Sequence, residues 1–229
     1  MENAISLSVT ELAGLKPAAL KGCDRVYLGS EFCQNKLPTA AAFLKLEKLF
    51  GGPVTLVTPL LTDGGLDQAA ALVKALCAVK RRRPLEVVVN DWGLLRLLKR
   101  NKAARPVLGR LLMWEIGEMD KPFLNAFLRE YRAAGVETDD PEVLAKLKGV
   151  SGPVHFHYPF RFKSVTRFCS YIRDFNSARC RLECGPAFVR LSSRAIPEPI
   201  YMQGNAYFIP NKPLRHPLVK RLVKTSVKE

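Results

Sequence analysis

The sequence lacks a long uninterrupted run of apolar residues, and its 229 residues include only three histidines. The first residues, 1–5, show neither a basic patch nor a long apolar stretch. Neither a signal peptide nor a membrane span is therefore predicted, and we expect a cytoplasmic protein. Because His155, His157 and His216 are the only histidines, a histidine-rich metal site is disfavoured.

Sequence motifs of the common hydrolases are also missing. We find no Gly-x-Ser-x-Gly elbow and no His-Glu-x-x-His helix, so proteolysis is disfavoured. A thiol paired with a histidine, Cys33 or Cys169 with His157, is compatible with the sequence, but metal ligation would consume the thiol. No aromatic RNA-recognition motif accompanies the basic residues.

Acidic residues are scarce relative to basic ones, with 21 Asp and Glu against 36 Lys and Arg and a net charge of +15. Part of the excess is local: residues 80–83 form a basic block, and the segment 212–229 contains Glu229 as its only acid. Such tracts bind phosphates or form solvated surface. An acidic small molecule or RNA therefore remains a candidate partner.

Short β-branched runs are each followed by a turn and then by a helical pattern, which is typical of a parallel β/α fold. We predict an α/β fold with a TIM-barrel-like repeat. A complete barrel uses about 250 residues, so this one is compact or incomplete, with an irregular cysteine-containing C-terminal segment. The predicted barrel strands are 5–10, 25–29, 54–57, 85–89, 109–113, 136–137 and 154–157.

After Pro186 the pattern changes to two strands, 188–191 and 201–209, joined by a proline-rich turn at 196–199 without a helix. We predict one barrel-like domain over residues 1–211 and a basic tail over 212–229.

Polar residues follow several predicted strands, and in a β/α barrel the loops at these strand ends form the active site. Asn90, Asp91 and His157 are accordingly candidate catalytic residues, and Arg110, within the predicted strand 109–113, is the fourth. Asn90 and Asp91 are suited to orient a ligand hydroxyl or accept a proton, although such a turn also caps the next helix. Arg110 is suited to bind a carboxylate or phosphate, or to cover a helix end.

Three of the six cysteines, Cys169, Cys180 and Cys184, fall within sixteen residues. A cytoplasmic chain keeps its thiols reduced, so a thiolate-bound metal is favoured over disulfides. Both a cubane cluster and a structural zinc generally take four ligands, so a further ligand is required. The spacing alone does not separate iron-sulfur from zinc.

Cys33 is the best fourth ligand because it follows a predicted strand in a polar loop. Cys77 lies among apolar helical residues and is expected in the core, and Cys23 precedes the same strand at its opposite end. Flanking arginines would offset the negative charge of bound thiolates; they are Arg167, Arg173, Arg179 and Arg181.

The sequence resembles the collagenase-like peptidase family, and within it the subunits for oxygen-independent hydroxylation in ubiquinone biosynthesis. The likeness extends over most of the chain and is carried by five features in shared order. These are residues 23–33 (CDRVYLGSEFC), 54–63 (VTLVTPLLTD), 87–93 (VVVNDWG), 108–110 (LGR) and the late cysteines.

The resemblance implies a [4Fe-4S] cluster held by Cys33, Cys169, Cys180 and Cys184. It also implies a subunit of an oxygen-independent hydroxylation system that acts on a quinone precursor together with a homologous iron-sulfur subunit. Other branches of the family act on RNA, so RNA hydroxylation is the alternative. A third alternative, of another class, is a non-catalytic scaffold that the metal braces.

Overall fold

Eight parallel strands form a closed barrel in a computed structural model that describes residues 1–175, 179–192 and 198–226. The predicted TIM-barrel class is therefore confirmed, and the barrel is complete. Elements are numbered in chain order. The barrel strands, in order around the barrel, are β1 Glu2–Leu7, β2 Arg25–Gly29, β3 Val54–Val57, β4 Leu85–Val89, β5 Ala104–Leu108, β6 Gly135–Thr138, β7 Val154–Tyr158 and β14 Val219–Thr225.

Helices connect the strands from β2 to β7, and most of them begin at a side chain that accepts a hydrogen bond from the first turn. Thr39 and Thr62 cap the first two helices in this way. After β1, 3₁₀ turns at Val9–Gly14 and Pro17–Leu20 replace a helix. In the described ranges no helix has the length and apolar character needed to cross a membrane. The helices are α1 Ala40–Phe50, α2 Asp63–Cys77, α3 Trp92–Leu98, α4 Met113–Glu118, α5 Lys121–Glu130 and α6 Pro141–Lys146.

Apolar side chains form two layers because successive strand residues point to opposite faces. The larger layer lies between the strands and the helices and includes Leu28, Leu56 and Phe156. A smaller cluster fills part of the barrel interior and includes Tyr27 and Val88. Tyr27 is polar at its tip, so the interior also needs hydrogen-bond partners.

An insertion, residues 159–218, lies between β7 and β14 in place of a helix. It contains a four-stranded antiparallel sheet in the order β11-β12-β13-β8 and the separate hairpin β9-β10. Its Phe162 and Phe208 rings contact the Phe32 ring, which follows β2, at centroid distances of 5.1 Å each. The strands are β8 Phe160–Val165, β9 Phe168–Cys169, β10 Asp174–Phe175, β11 Val189–Leu191, β12 Ile200–Gln203 and β13 Ala206–Pro210.

The predicted basic tail, residues 212–229, is wrong as far as the structure describes it, because β14 lies within it and pairs with both β1 and β7. Val219, Leu222 and Val223 are buried, whereas Lys220 and Lys224 of the same strand are exposed. Because of these lysines, the sequence of this buried strand resembles that of a basic tail. Residues 227–229 lie outside the described ranges.

Other predicted boundaries are corrected for local reasons. Residues 109–113 do not form a strand; β5 precedes them, and its exposed Arg105 hides the apolar pattern. The predicted strand 201–209 is a hairpin that turns at Gly204, where φ is +61°. Residues 196 and 197 of the predicted proline-rich turn lie outside the described ranges.

We predict that Leu222→Ala lowers the free energy of unfolding by about 2–5 kcal/mol, since it removes a buried side chain from the shell between strands and helices. Lys224→Ala, at an exposed position of the same strand, should change it by less than about 0.5 kcal/mol. Urea unfolding followed by circular dichroism measures both. If neither substitution changes the free energy of unfolding measurably, a structural role for this strand would be contradicted.

Candidate functional site

The four cysteines predicted as ligands line one cavity between the barrel and the insertion. Cys33 follows β2, whereas the other three, Cys169, Cys180 and Cys184, belong to the insertion. Cys23 and Cys77 are not among the lining residues; the former precedes β2 and the latter ends α2. The four cysteines predicted as ligands therefore line the cavity, and the two that were not predicted as ligands do not.

These thiols are close enough to influence one another electrostatically. Burial raises the pKa of Cys33, as do Cys184 and Cys180, whereas the Asn35 backbone and Lys36 lower it. Burial and then Cys184 and Cys169 likewise raise the pKa of the neighbouring Tyr171. The sulfur atoms thus share a single environment in which several negative charges would repel.

Among the described residues, the four sulfur atoms do not form a compact group of ligand atoms. Bonds of about 2.3 Å to a tetrahedral zinc would hold the thiolate sulfurs about 3.8 Å apart. In the described part of the chain, no three of these sulfurs lie within 4.8 Å of one another. In a cubane cluster each thiolate binds a different iron, which requires wider spacing.

Two polar side chains fix the loop that carries Cys33. Ser30 Oγ accepts hydrogen bonds from the backbone N–H groups of Phe32 and Cys33, both at 3.2 Å. Asn205 Nδ2 donates to the Phe32 and Thr166 carbonyl oxygens at 2.9 and 2.6 Å. These contacts join the Cys33 loop to the insertion, so the early and late cysteines face each other.

Arg110 lies at the C-terminal end of the barrel and is 5% exposed. Its Nε and Nη2 donate to Glu31, with Nη2–Oε2 at 2.6 Å, and its Nη1 donates to Asp139 Oδ2 at 2.9 Å. Burial alone would lower the pKa of Arg110, but Glu31 and Asp139 outweigh it and raise that pKa. The predicted carboxylate-binding arginine therefore binds carboxylates of its own chain.

Asn90 and Asp91 make backbone contacts that account for their positions. Asn90 Nδ2 donates to the Thr58 carbonyl oxygen at 2.8 Å, and its Oδ1 accepts from Leu111 N at 3.0 Å. Asp91 Oδ1 accepts from Leu94 N at 3.0 Å and caps α3. The capping alternative considered for this turn is thus observed.

His157 lies in the barrel interior, in a buried polar network with Glu137. His157 Nε2 is 3.0 Å from Glu137 Oε2, and the Tyr27 hydroxyl donates to Glu137 Oε1 at 2.8 Å. Burial would raise the pKa of Glu137, but His157 and His155 lower it further than burial raises it. Among the described residues His157 Nδ1 has no hydrogen-bond partner. His157 does not line the thiol cavity, which argues against a cysteine–histidine nucleophilic pair.

One further group of ligand-type side chains occurs in the described ranges, and its ligand atoms all lie within 4.8 Å. Its members are Glu31, Glu137 and His157. Arg110 already binds Glu31, and Tyr27 with the histidines already binds Glu137. Protein contacts therefore already account for the positions of Glu31 and Glu137.

A polar cleft at the barrel mouth lies beside the thiol cavity, and Lys36 lines both. Its other lining side chains include hydroxyl, amide and charged groups that suit a small polar ligand. They include Ser6, Ser8, Ser30, Glu31 and Gln203.

Sequence reasoning missed Lys36, Glu31, Asp139 and Glu137. Lys36 and Glu31 are both within three residues of Cys33, so proximity to a proposed ligand was an available signal. Glu137 is a charged residue at a predicted strand position, which indicates an inward polar site in a barrel. No signal in the sequence pairs Asp139 with Arg110.

No model of a protein family matches the chain. No curated protein matches it either. Among solved structures, the chain is similar to a glycoside hydrolase family 18 N-acetylglucosaminidase from Paenibacillus barengoltzii. The two share 10% sequence identity over 92% of this chain and 88% of that chain, with a TM-score of 0.41. No functional conclusion follows from similarity at this level.

We predict that Arg110→Met lowers the free energy of unfolding by about 3–5 kcal/mol, because it leaves two buried carboxylates without their cation. Arg105→Met, which removes an exposed guanidinium from β5, is the matched control and should change it by less than about 0.5 kcal/mol. Chemical unfolding at neutral pH compares the variants. Similar values for both would show that the ion pairs of Arg110 do not stabilise the fold.

Proposed function

We propose that the chain is a [4Fe-4S] iron-sulfur subunit of an oxygen-independent hydroxylation system, acting on a quinone precursor. The observation that carries the proposal is the shared cavity of Cys33, Cys169, Cys180 and Cys184. Four thiolates are the usual complete ligand set of a cubane cluster. The quinone branch follows from the resemblance to the collagenase-like peptidase family and its ubiquinone-pathway subunits.

The lining of the cavity suits a buried metal centre. Apolar Ile172 and Leu182 also line it, and such side chains limit the access of water to a bound metal. All six cysteines are free thiols, which suits a reducing compartment such as the cytoplasm.

When bound, the cluster would supply electron transfer or help to activate an oxygen donor. The chain's own residues would hold it through the four thiolates and would bind a small polar molecule in the adjacent cleft. Ser30 contributes to both tasks, since its hydroxyl holds the Cys33 loop and it lines the cleft. A homologous iron-sulfur subunit, expected from the resemblance, would complete the system.

RNA hydroxylation is the second candidate, favoured by the net charge of +15. The basic block at 80–83 lies in the connection that leads into β4, so it is at the opposite barrel end from Cys33 and the mouth cleft. RNA bound by that block would not directly face the proposed site. This arrangement favours a small-molecule substrate.

Anaerobically purified protein should contain iron and acid-labile sulfide in equal amounts and absorb in the visible range. Replacement of any one of Cys33, Cys169, Cys180 or Cys184 by Ala should lose or damage the cluster. Cys23→Ala and Cys77→Ala are matched controls that should retain it, since these thiols lie outside the cavity. Zinc without sulfide, or equal losses in all six variants, would overturn the cluster assignment.

A strain that lacks the gene should, under anaerobic growth, lose a hydroxylated quinone intermediate while its RNA nucleosides stay unchanged. A gene copy with Cys77→Ala should restore the intermediate, and a copy with Cys184→Ala should not. Mass spectrometry of quinones and nucleosides from the same cultures measures both pools. A missing hydroxylated nucleoside with normal quinones would establish the RNA alternative, which also predicts RNA binding that weakens steeply with salt. No change in either pool would favour the scaffold.

A further inference from the structure

Lys36 is a buried lysine in the 3₁₀ turn Gln34–Lys36 that directly follows Cys33. It is 4% exposed, and lysines are almost never this buried unless an opposite charge pairs with them. Within the described ranges, no carboxylate forms an ion pair with Lys36. Its Nζ donates a 3.3 Å hydrogen bond to the Gly185 carbonyl oxygen, which is neutral. The ammonium group therefore lacks a carboxylate counter-charge in this part of the chain.

The cavity that Lys36 lines contains the four thiols and one other cation, Arg167. Lys36 lines the same cavity as the four cysteines and opposes the rise in the pKa of Cys33 that burial causes. A Cβ atom at Gly204 would lie 3.8 Å from both Cys184 Sγ and Lys36 Nζ. The ammonium and this sulfur thus flank the same glycine. Because a buried unpaired charge is costly, the cavity is suited to an anionic occupant.

We infer that Lys36 is a buried counter-charge of the thiolate-bound cluster and raises its reduction potential. This inference rests on the proposed function. Reduction adds one electron, supplied by an external reductant, to a centre that is already anionic. A fixed positive charge beside it stabilises the reduced form more than the oxidised form. The effect is strong in a buried site, where solvent screens little, and charge is one of the factors that set cluster potentials.

The test is a redox titration of the full chain, purified anaerobically, with dithionite as reductant and electron paramagnetic resonance as the readout. Lys36→Met keeps the length of the side chain and removes its charge, so its midpoint potential should shift to a more negative value. Lys36→Arg keeps the charge and should stay close to the wild-type potential. Lys74→Met is the matched control, because it removes an exposed lysine from α2, and should cause no shift.

Iron and sulfide contents, measured on the same samples, distinguish failure of the proposed function from failure of the inference about Lys36. Wild-type protein without a cluster would overturn the proposed function and this inference together. A full cluster with the same potential in Lys36→Met and wild type would overturn the inference alone.

If Lys36→Met loses the cluster, Lys36→Gln is titrated in its place, with the same negative shift expected. Loss in both neutral variants with retention in Lys36→Arg would support the counter-charge, whereas loss in Lys36→Arg as well would overturn it.

Discussion

The guanidinium of Arg110 binds carboxylates from two other strand ends, Glu31 after β2 and Asp139 after β6. Asp139 Oδ2 also accepts a 2.6 Å hydrogen bond from the backbone of Phe162 in the insertion. One buried cation thereby links three barrel strands, the insertion and the segment that leads to Cys33. Because the cysteines come from both sides of this junction, the shape of the thiol cavity depends on it. Arg110 does not line the thiol cavity, but it lines the mouth cleft beside that cavity.

Charge is compensated differently in the two buried parts of the molecule. In the barrel interior, Arg221 binds Glu86 and the Tyr27 hydroxyl, and Tyr27 donates to Glu137. Burial would raise the pKa of Glu86, but Arg221 lowers it further, so these groups stabilise one another. In the thiol cavity, Lys36 faces sulfur atoms instead. A closed network suits a structural core, whereas a buried cation beside thiols suits a region that binds an anion.

The sequence predicted the barrel class and the strands with clear apolar patterns, such as β2, β3 and β4, because their buried faces are uninterrupted. It did not predict β14, since Lys220, Arg221 and Lys224 make this strand look like a basic tail. The four cavity cysteines were predicted because their residue type and their place after a strand or within a cluster carry the signal. Arg110 was predicted as a carboxylate- or phosphate-binding residue, but its partners were not predicted, because ion pairs across 79 and 29 residues depend on tertiary packing.

The strand that closes the barrel follows every cavity cysteine in the chain. A ribosome therefore completes the whole set of thiols before it makes β14. During that interval β1 and β7 each expose one unpaired edge, and exposed edges can pair with strands from other chains. The chain is therefore most exposed to aggregation after its last cavity cysteine has been made and before β14 pairs with β1 and β7.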